Sequence, residues 1–260
     1  MRLLQLQNDG DFSLTTNLLD DDLPRYAILS HTWEDDSEEV TFEDLVGNSG
    51  KGKAGYRKLQ FCGKQAARDD LQYFWVDSCC IKKSSDAELS EAIISMFRWY
   101  RGAAKCYVYL SDVSIWDATM DDESSHFKWE QAFRKSRWFT RGWTLQELLA
   151  PASVEFFSSE GQRLGNKDSL KQQLHEITGI PIQAIQGSRL SEFTINERMS
   201  WVAKRETKRK EDKAYSLLGI FGVAMSPLYG EGRENAFRRL WNEINCKAPL
   251  LTLKPSFSLA

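Results

Sequence analysis

Acidic, imidazole, indole and guanidinium side chains recur at a few points where a folded chain could bring them to one ligand. Ser30, His31 and Trp33 follow on the apolar run Tyr26–Ser30, and Asp77 closes a second run, Tyr73–Asp77. Arg141, Trp143 and Glu147 stand together in FTRGWTLQELLAP, Phe139–Pro151. If the two runs are strands of an open α/β sheet, Ser30, His31, Trp33 and Asp77 fall at or just beyond carboxyl ends. That is where such sheets keep their ligand crevice. Glu147 would reach the same crevice from a helix. Arg141 can pair with Glu147 or with a phosphate, and the residues alone leave both open.

Each of these residues also has a structural role open to it. Glu147 follows Thr144 at the spacing of a capping box, so it can equally close a helix start. Asp77 can cap the turn after its strand. Trp33 and Trp143 fit the core or its rim as well as they fit a ring platform. His31 fits a hydrogen-bonded structural histidine. Cys79 and Cys80 are adjacent but lack a second cysteine pair or a spaced histidine, so a zinc site is not indicated and a buried thiol is expected. No metal and no resident cofactor is expected.

The segment Gly47-Asn48-Ser49-Gly50-Lys51-Gly52-Lys53-Ala54 comes near a phosphate-binding P-loop, but Ala54 replaces the hydroxyl that would hold magnesium. Gly50, Gly52 and Gly55 also fit GxGxxG, yet the preceding EDLVGNS is too short and polar for a buried strand. A flexible basic loop is the expectation. The run Lys204–Lys213, six basic and three acidic residues, reads as a solvated surface.

The elements that must position these groups follow from periodicity. Strands are expected at Leu3–Leu6, Tyr26–Ser30, Tyr73–Asp77, Cys106–Leu110 and Val154–Ser158. Helices are expected over Ala54–Asp69, Asp86–Ala104 and Lys128–Ser136, with another starting near Trp143. Ser85 and Glu88 have capping-box spacing at the start of the second. Strands alternating with helices imply βαβ crossovers and a mainly parallel sheet, whose strands, covered on both faces, read as continuous apolar runs such as YAILS and CYVYL. After Ser158 the pattern turns helical: a short helix through Leu170, Leu174 and Ile177 stopped at Gly179, then Thr194 with Glu197 as a capping box, then Glu211–Phe221 and Glu234–Ile244. The expected organisation is an α/β core over residues 1–160 and a helical extension over 161–260 packed on it. The end, APLLTLKPSFSLA, carries no recognisable further domain.

Composition bounds the function. The 260 residues are 42% hydrophobic and 27% charged, with nine Trp and fourteen Phe, as a globular chain requires. A formal net charge of −3 gives no electrostatic case for nucleic acid. No stretch approaches the roughly 18 apolar residues of a membrane span. Five cysteines without a secretory signal imply reduced thiols and a cytoplasmic location.

Four segments resemble one family. YAILSHTWEDDSEEVTFEDL (Tyr26–Leu45), FWVDSCCIKKSSDAELSEAIISMFRWYRGAAKCYVYLSDV (Phe74–Val113) and FTRGWTLQELLAP resemble the three blocks of heterokaryon-incompatibility (HET) domains. EDKAYSLLGIFGVAMSPLYGEG (Glu211–Gly232) resembles the stretch that follows the domain in fungal vegetative-incompatibility proteins. The likeness runs to about Asn245; where the family's central block usually has Gln, this chain has Lys82 or Lys83. HET domains are in turn distantly similar to Toll/interleukin-1 receptor (TIR) domains, which have a flavodoxin-like parallel sheet. Some of these cleave NAD with the Glu of a WCxxEL-type motif. Trp143-Thr144-Leu145-Gln146-Glu147-Leu148 matches that Trp and Glu-Leu spacing, with Thr144 in place of Cys.

The resemblance implies a cell-death effector of fungal allorecognition that acts when clustered, with NAD or a related nucleotide as substrate. Nicotinamide is already a cationic leaving group, so the protein's contribution is a carboxylate beside the ribose and an aromatic platform for the ring. Glu147 would be the carboxylate, with Ser30, His31, Trp33, Asp77, Arg141 and Trp143 lining the pocket. The alternative is a non-enzymatic module that signals by self-association. Either activity implies self-association and an upstream recognition protein as partners.

Overall fold

The computed structural model describes residues 1–8, 10–115 and 123–247; the terminal APLLTLKPSFSLA lies outside them. Its centre is a mixed sheet in the order β2-β1-β4-β3-β5-β6-β7. The strands are β1 (Leu4–Leu6), β2 (Phe12–Leu14), β3 (Tyr26–His31), β4 (Tyr73–Trp75), β5 (Lys105–Tyr109), β6 (Val154–Phe157) and β7 (Arg163–Asn166). Every expected strand is present. β2 and β7 are additional: each is short and only partly buried, so neither carries a continuous apolar run. β7 lies beyond residue 160 and completes an antiparallel hairpin with β6.

β4, β3, β5 and β6 run parallel, with β1 antiparallel on β4 at one side. Among the parallel strands the chain order is therefore 2-1-3-4, as in flavodoxin-like sheets. The chain builds out from β3 to β4, then returns past β3 to add β5 and β6. The carboxyl ends of β3 and β5 thus flank the switch point. All six residues of β3 are buried, which is why YAILSH is apolar to its last turn before the polar pair Ser30–His31.

Helices cover the sheet. They are α1 (Phe42–Val46), α2 (Tyr56–Arg68), α3 (Asp86–Gly102), α4 (Glu123–Lys135) and α5 (Thr144–Leu149), then α6 (Lys171–Thr178), α7 (Ile182–Ile185), α8 (Ile195–Ala203), α9 (Asp212–Tyr215), α10 (Leu218–Phe221) and α11 (Gly232–Lys247). α3 buries Ala92, Ile93, Met96, Trp99 and Tyr100, the face its 3.6-residue period marks. Its capping box is only half made. Ser85 accepts from the Glu88 N–H, but the Glu88 carboxylate turns instead to the Lys82 N–H and Arg2. At Thr194 and Glu197 both halves of the box close. The single helix expected over Glu211–Phe221 is broken into α9 and α10, and Gly222 ends it in the left-handed region at φ 64°.

The near P-loop has a different origin. Gly47 follows helix α1 rather than a strand, Gly50–Gly52 is a 3-10 turn, and Lys51 and Lys53 pair with Asp11 and Asp44. Nothing there resembles a strand-to-helix phosphate cradle. Among the described residues no helix is long and apolar enough to cross a membrane.

Buried apolar side chains of the sheet and of the helices after β7 form one cluster. Its tightest joint is between α10 and α3. A Cβ built on Gly219 would stand 2.1 Å from Cβ and Cγ of Phe97, closer than any packed pair tolerates. Gly219→Ala should therefore destabilise the fold by ~1–3 kcal/mol through overpacking, although alanine is otherwise the better helix former. Urea unfolding checks this, and a Phe97→Ala background should relieve the cost only in part, because alanine keeps the Cβ that the added methyl meets.

Candidate functional site

Glu147 is the centre of the site. It sits on α5, the short helix of TLQELL, whose six residues are all buried. The helix does not use Glu147 as a cap. Thr144 is already inside the helix, and its hydroxyl donates to the carbonyls of Trp138 and Arg141 at 2.6 and 2.8 Å. The Glu147 carboxyl instead reaches across to β3, where Ser30 Oγ donates to Oε2 at 2.5 Å. Ser30 is held in turn by Trp138 Nε1, which donates to its Oγ at 2.7 Å. Trp138 is fixed edge-to-face between Phe139 and Phe156 of β6. A chain of contacts thus runs from the sheet through an indole and a hydroxyl to one carboxyl group.

Burial dominates the chemistry of that carboxyl. Its desolvation raises the Glu147 pKa from 4.5 to about 8, and the nearby Asp77 charge adds to this; the Ser30 bond, Tyr100 and Arg205 pull the other way and lose. Arg205 is itself buried and donates to Thr144 Oγ1 and to the Arg141 carbonyl, with burial lowering its pKa to about 10. It therefore corrects the surface assignment of the Lys204–Lys213 run, in which Glu211 and Asp212 are buried too.

Asp77 has the opposite character. His31 Nε2 and Trp33 Nε1 both lie 3.0 Å from its two oxygens, and about a quarter of its side chain is open. Burial favours its neutral form, but the hydrogen bond and charge of His31, with Lys83 and Trp33, outweigh this and hold its pKa near 2. The expected cap of a turn is not what Asp77 makes. Lys83 lies over the Trp33 ring at 3.4 Å and supplies a cation to this edge. The site holds one carboxyl kept neutral and one kept ionised.

Both open onto a cavity of about 420 Å³, within the range of small-molecule sites. His31, Trp33, Asp77, Arg141, Trp143 and Glu147 all line it. Ser30 lies beneath, fully buried, and reaches the cavity only through Glu147. Arg141 does not pair with Glu147, whose hydrogen-bond partner is Ser30; it lies half-buried in the cavity wall. The far wall comes from the helical segments. Asp212 accepts from Tyr229 at 2.9 Å and from Trp143 at 3.3 Å, and Arg209 lies over the Tyr229 ring at 3.9 Å. Lys208 pairs with Asp36 across the mouth. Trp138, Arg205, Arg209, Asp212 and Tyr229 carry no local sequence signal for this role, since their partners are distant in the chain. The nearest clue was the segment Glu211–Gly232, legible only as part of a resemblance. Cys79 and Cys80 are buried free thiols beside the Asp77 turn.

Residues 26–126 match the family model described as heterokaryon incompatibility protein (HET). Vegetative incompatibility protein HET-E-1 of Podospora anserina is 52% identical over 259 residues, 98% of this chain. The chain belongs to the HET family. It spans 19% of that relative's length. No solved structure matches it. The family match covers Ser30, His31, Trp33 and Asp77, while Arg141, Trp143 and Glu147 of this HET chain lie beyond it and within the longer likeness.

The buried carboxyl sets a pH dependence. Folded Glu147 keeps its proton to about pH 8, while the unfolded side chain releases it near 4.5. Folded protein then binds more protons across that window, so this contribution to stability is full below about 4.5 and is lost as pH rises through 8. Glu147→Gln should remove a slope that approaches ~1.4 kcal/mol per pH unit, read as a wild-type urea midpoint that falls with pH more steeply than the variant's. Ser30→Ala should cost ~1–3 kcal/mol, because it leaves the Trp138 N–H and the Glu147 carboxyl without their buried partner.

Proposed function

We propose that this HET domain is a cell-death effector of incompatibility, and that its cavity binds NAD or a related nucleotide and cleaves the N-glycosidic bond. The observation that carries this reading is a carboxyl group buried at the floor of an open cavity at the sheet's switch point, tied to Ser30 and not to its own helix. The relative named for vegetative incompatibility supports the biological role. The Trp143 and Glu147-Leu148 spacing, similar to that of NAD-cleaving TIR domains, supports the chemistry.

The step needs little from the protein. As the bond from ribose C1′ to the nicotinamide nitrogen breaks, its electron pair leaves with the ring, which becomes neutral, and positive charge develops on the ribose. An ionised Glu147 beneath the sugar stabilises that charge, and water adds at C1′ and gives up its extra proton to the Glu147 carboxylate or to solvent. In the resting cavity Glu147 is largely protonated at neutral pH. The fixed positive charge of the nicotinamide ring favours the carboxylate, so substrate binding itself draws out the active form. Trp33 and Trp143 offer ring faces, and Lys83, Arg141 and Arg209 offer charge to the diphosphate.

The test is nicotinamide release by purified, concentrated or artificially clustered protein. Wild type should turn over NAD with kcat/KM rising with pH toward about 8, the pKa of free Glu147. Glu147→Ala and Glu147→Gln should fold and lose at least ~100-fold, the scale of one electrostatic contact to developing charge. No release from clustered wild type, with cell killing intact, overturns the enzymatic reading in favour of signalling by self-association.

A further inference from the structure

A second cleft, of about 780 Å³, lies where the sheet core meets the helices after β7. It shares no lining residue with the carboxylate cavity; α5 gives Thr144 and Glu147 to one and Leu149 to the other. Its charged lining is of one sign: Arg101, Lys167, Arg189, Arg198 and Lys247, with no Asp or Glu. In a chain of net charge −3 such a grouping is not explained by composition.

These cations lack the partners that ordinarily justify them. None forms an ion pair with a carboxylate among the described residues. Lys167 is 5% exposed and donates only to the Pro151 carbonyl, at 2.6 Å, and burial lowers its pKa. Arg198 donates to the Ile220 carbonyl at 3.1 Å and lies over the Phe221 ring at 4.5 Å, while its Nε is buried with no partner at all. Lys247 donates to the Gly222 carbonyl. Arg101 and Arg189 are exposed at the rim. Burying Lys167 and the Arg198 Nε without a carboxylate is costly, and three more cations around the same cleft add their repulsion. An anionic occupant removes both costs.

The shape narrows the occupant. The cations come from five separate segments around one volume: α3, the residue after β7, the loop after α7, α8 and the end of α11. An extended acidic peptide wants a row of cations along one element, whereas a compact ligand with clustered charge suits cations that several segments bring to one cleft. The volume is that of a small-molecule site, and Leu149, Ile220 and Phe221 give it an apolar floor. Arginine forks pair best with phosphate oxygens. The geometry points to a second ligand site in this cleft, one that takes a multiply phosphorylated small molecule and ties the helical segments to the sheet core. This inference is independent of any nucleotide cleavage in the first cavity.

The test uses the full 260-residue chain, titrated calorimetrically and by thermal shift with ATP, inositol hexakisphosphate, inorganic phosphate and a poly-glutamate peptide. At least one of the two organic polyphosphates should bind and raise Tm by several degrees, as a ligand specific to the folded state does. The exposed pair Arg101→Glu and Lys247→Glu should weaken that binding at least about tenfold, the scale of losing two phosphate contacts, and fold normally in the absence of ligand. Lys208→Glu, in the other cavity, should leave it unchanged. The inference is overturned if neither organic polyphosphate binds, if binding survives the double charge reversal, if it is lost in Lys208→Glu instead, or if poly-glutamate binds as tightly.

Discussion

The hydrogen bond from Ser30 to Glu147 is the contact on which the site depends. It joins the last turn of the central strand to a short helix more than a hundred residues later, and it does so inside the protein. A carboxyl in that position is expensive to ionise, so the fold keeps it protonated, with the Ser30 hydroxyl against it. Trp138 is what makes the arrangement rigid. Its indole sits in an aromatic cluster against β6 and presents one N–H to Ser30, so the hydroxyl has a fixed direction in which to donate. Helix α5 could not hold Glu147 there by its own propensities, because a six-residue helix is marginal alone. Tertiary packing holds it.

Around this contact the protein sets two carboxyl groups apart. Glu147 is cut off from water by burial, while Asp77 lies against His31, Trp33 and the charge of Lys83. Environment alone gives one group a proton and the other a charge at neutral pH, the division of labour that active sites commonly display. The two face one cavity at the carboxyl ends of parallel strands, the position at which a doubly wound sheet leaves room for a ligand. The helical segments after β7 supply the far wall through Asp212, Tyr229 and Arg209. They are thus part of the site and not merely a support for it.

The same segments create the cationic cleft on the other side of α5. Both cavities therefore depend on how those helices dock, and Gly219 against Phe97 is the tightest point of that docking. A ligand in the basic cleft would act on the joint that also shapes the carboxylate cavity.

Sequence by itself determined the family, through blocks such as YAILSHTWEDD and FTRGWTLQELLAP whose order and spacing survive in the primary structure. It also determined the central strands and main helices, because apolar periodicity and caps such as Thr194 with Glu197 are local properties. Glu147 was legible as a candidate, but Thr144 at capping distance made a helix cap equally good. Only the tertiary structure removed the cap, because the partner Glu147 takes instead, Ser30, is remote in the chain and local spacing carries no information about it. Arg205, Glu211 and Asp212 looked solvated for the same reason: a charged run reads as surface until long-range packing buries three of its members. Short edge strands such as β2 and β7 escape sequence patterns because half-exposed residues need no apolar run and are fixed by pairing to a neighbour already in place. The cavities belong wholly to the fold, as volumes left between elements that no single segment encodes.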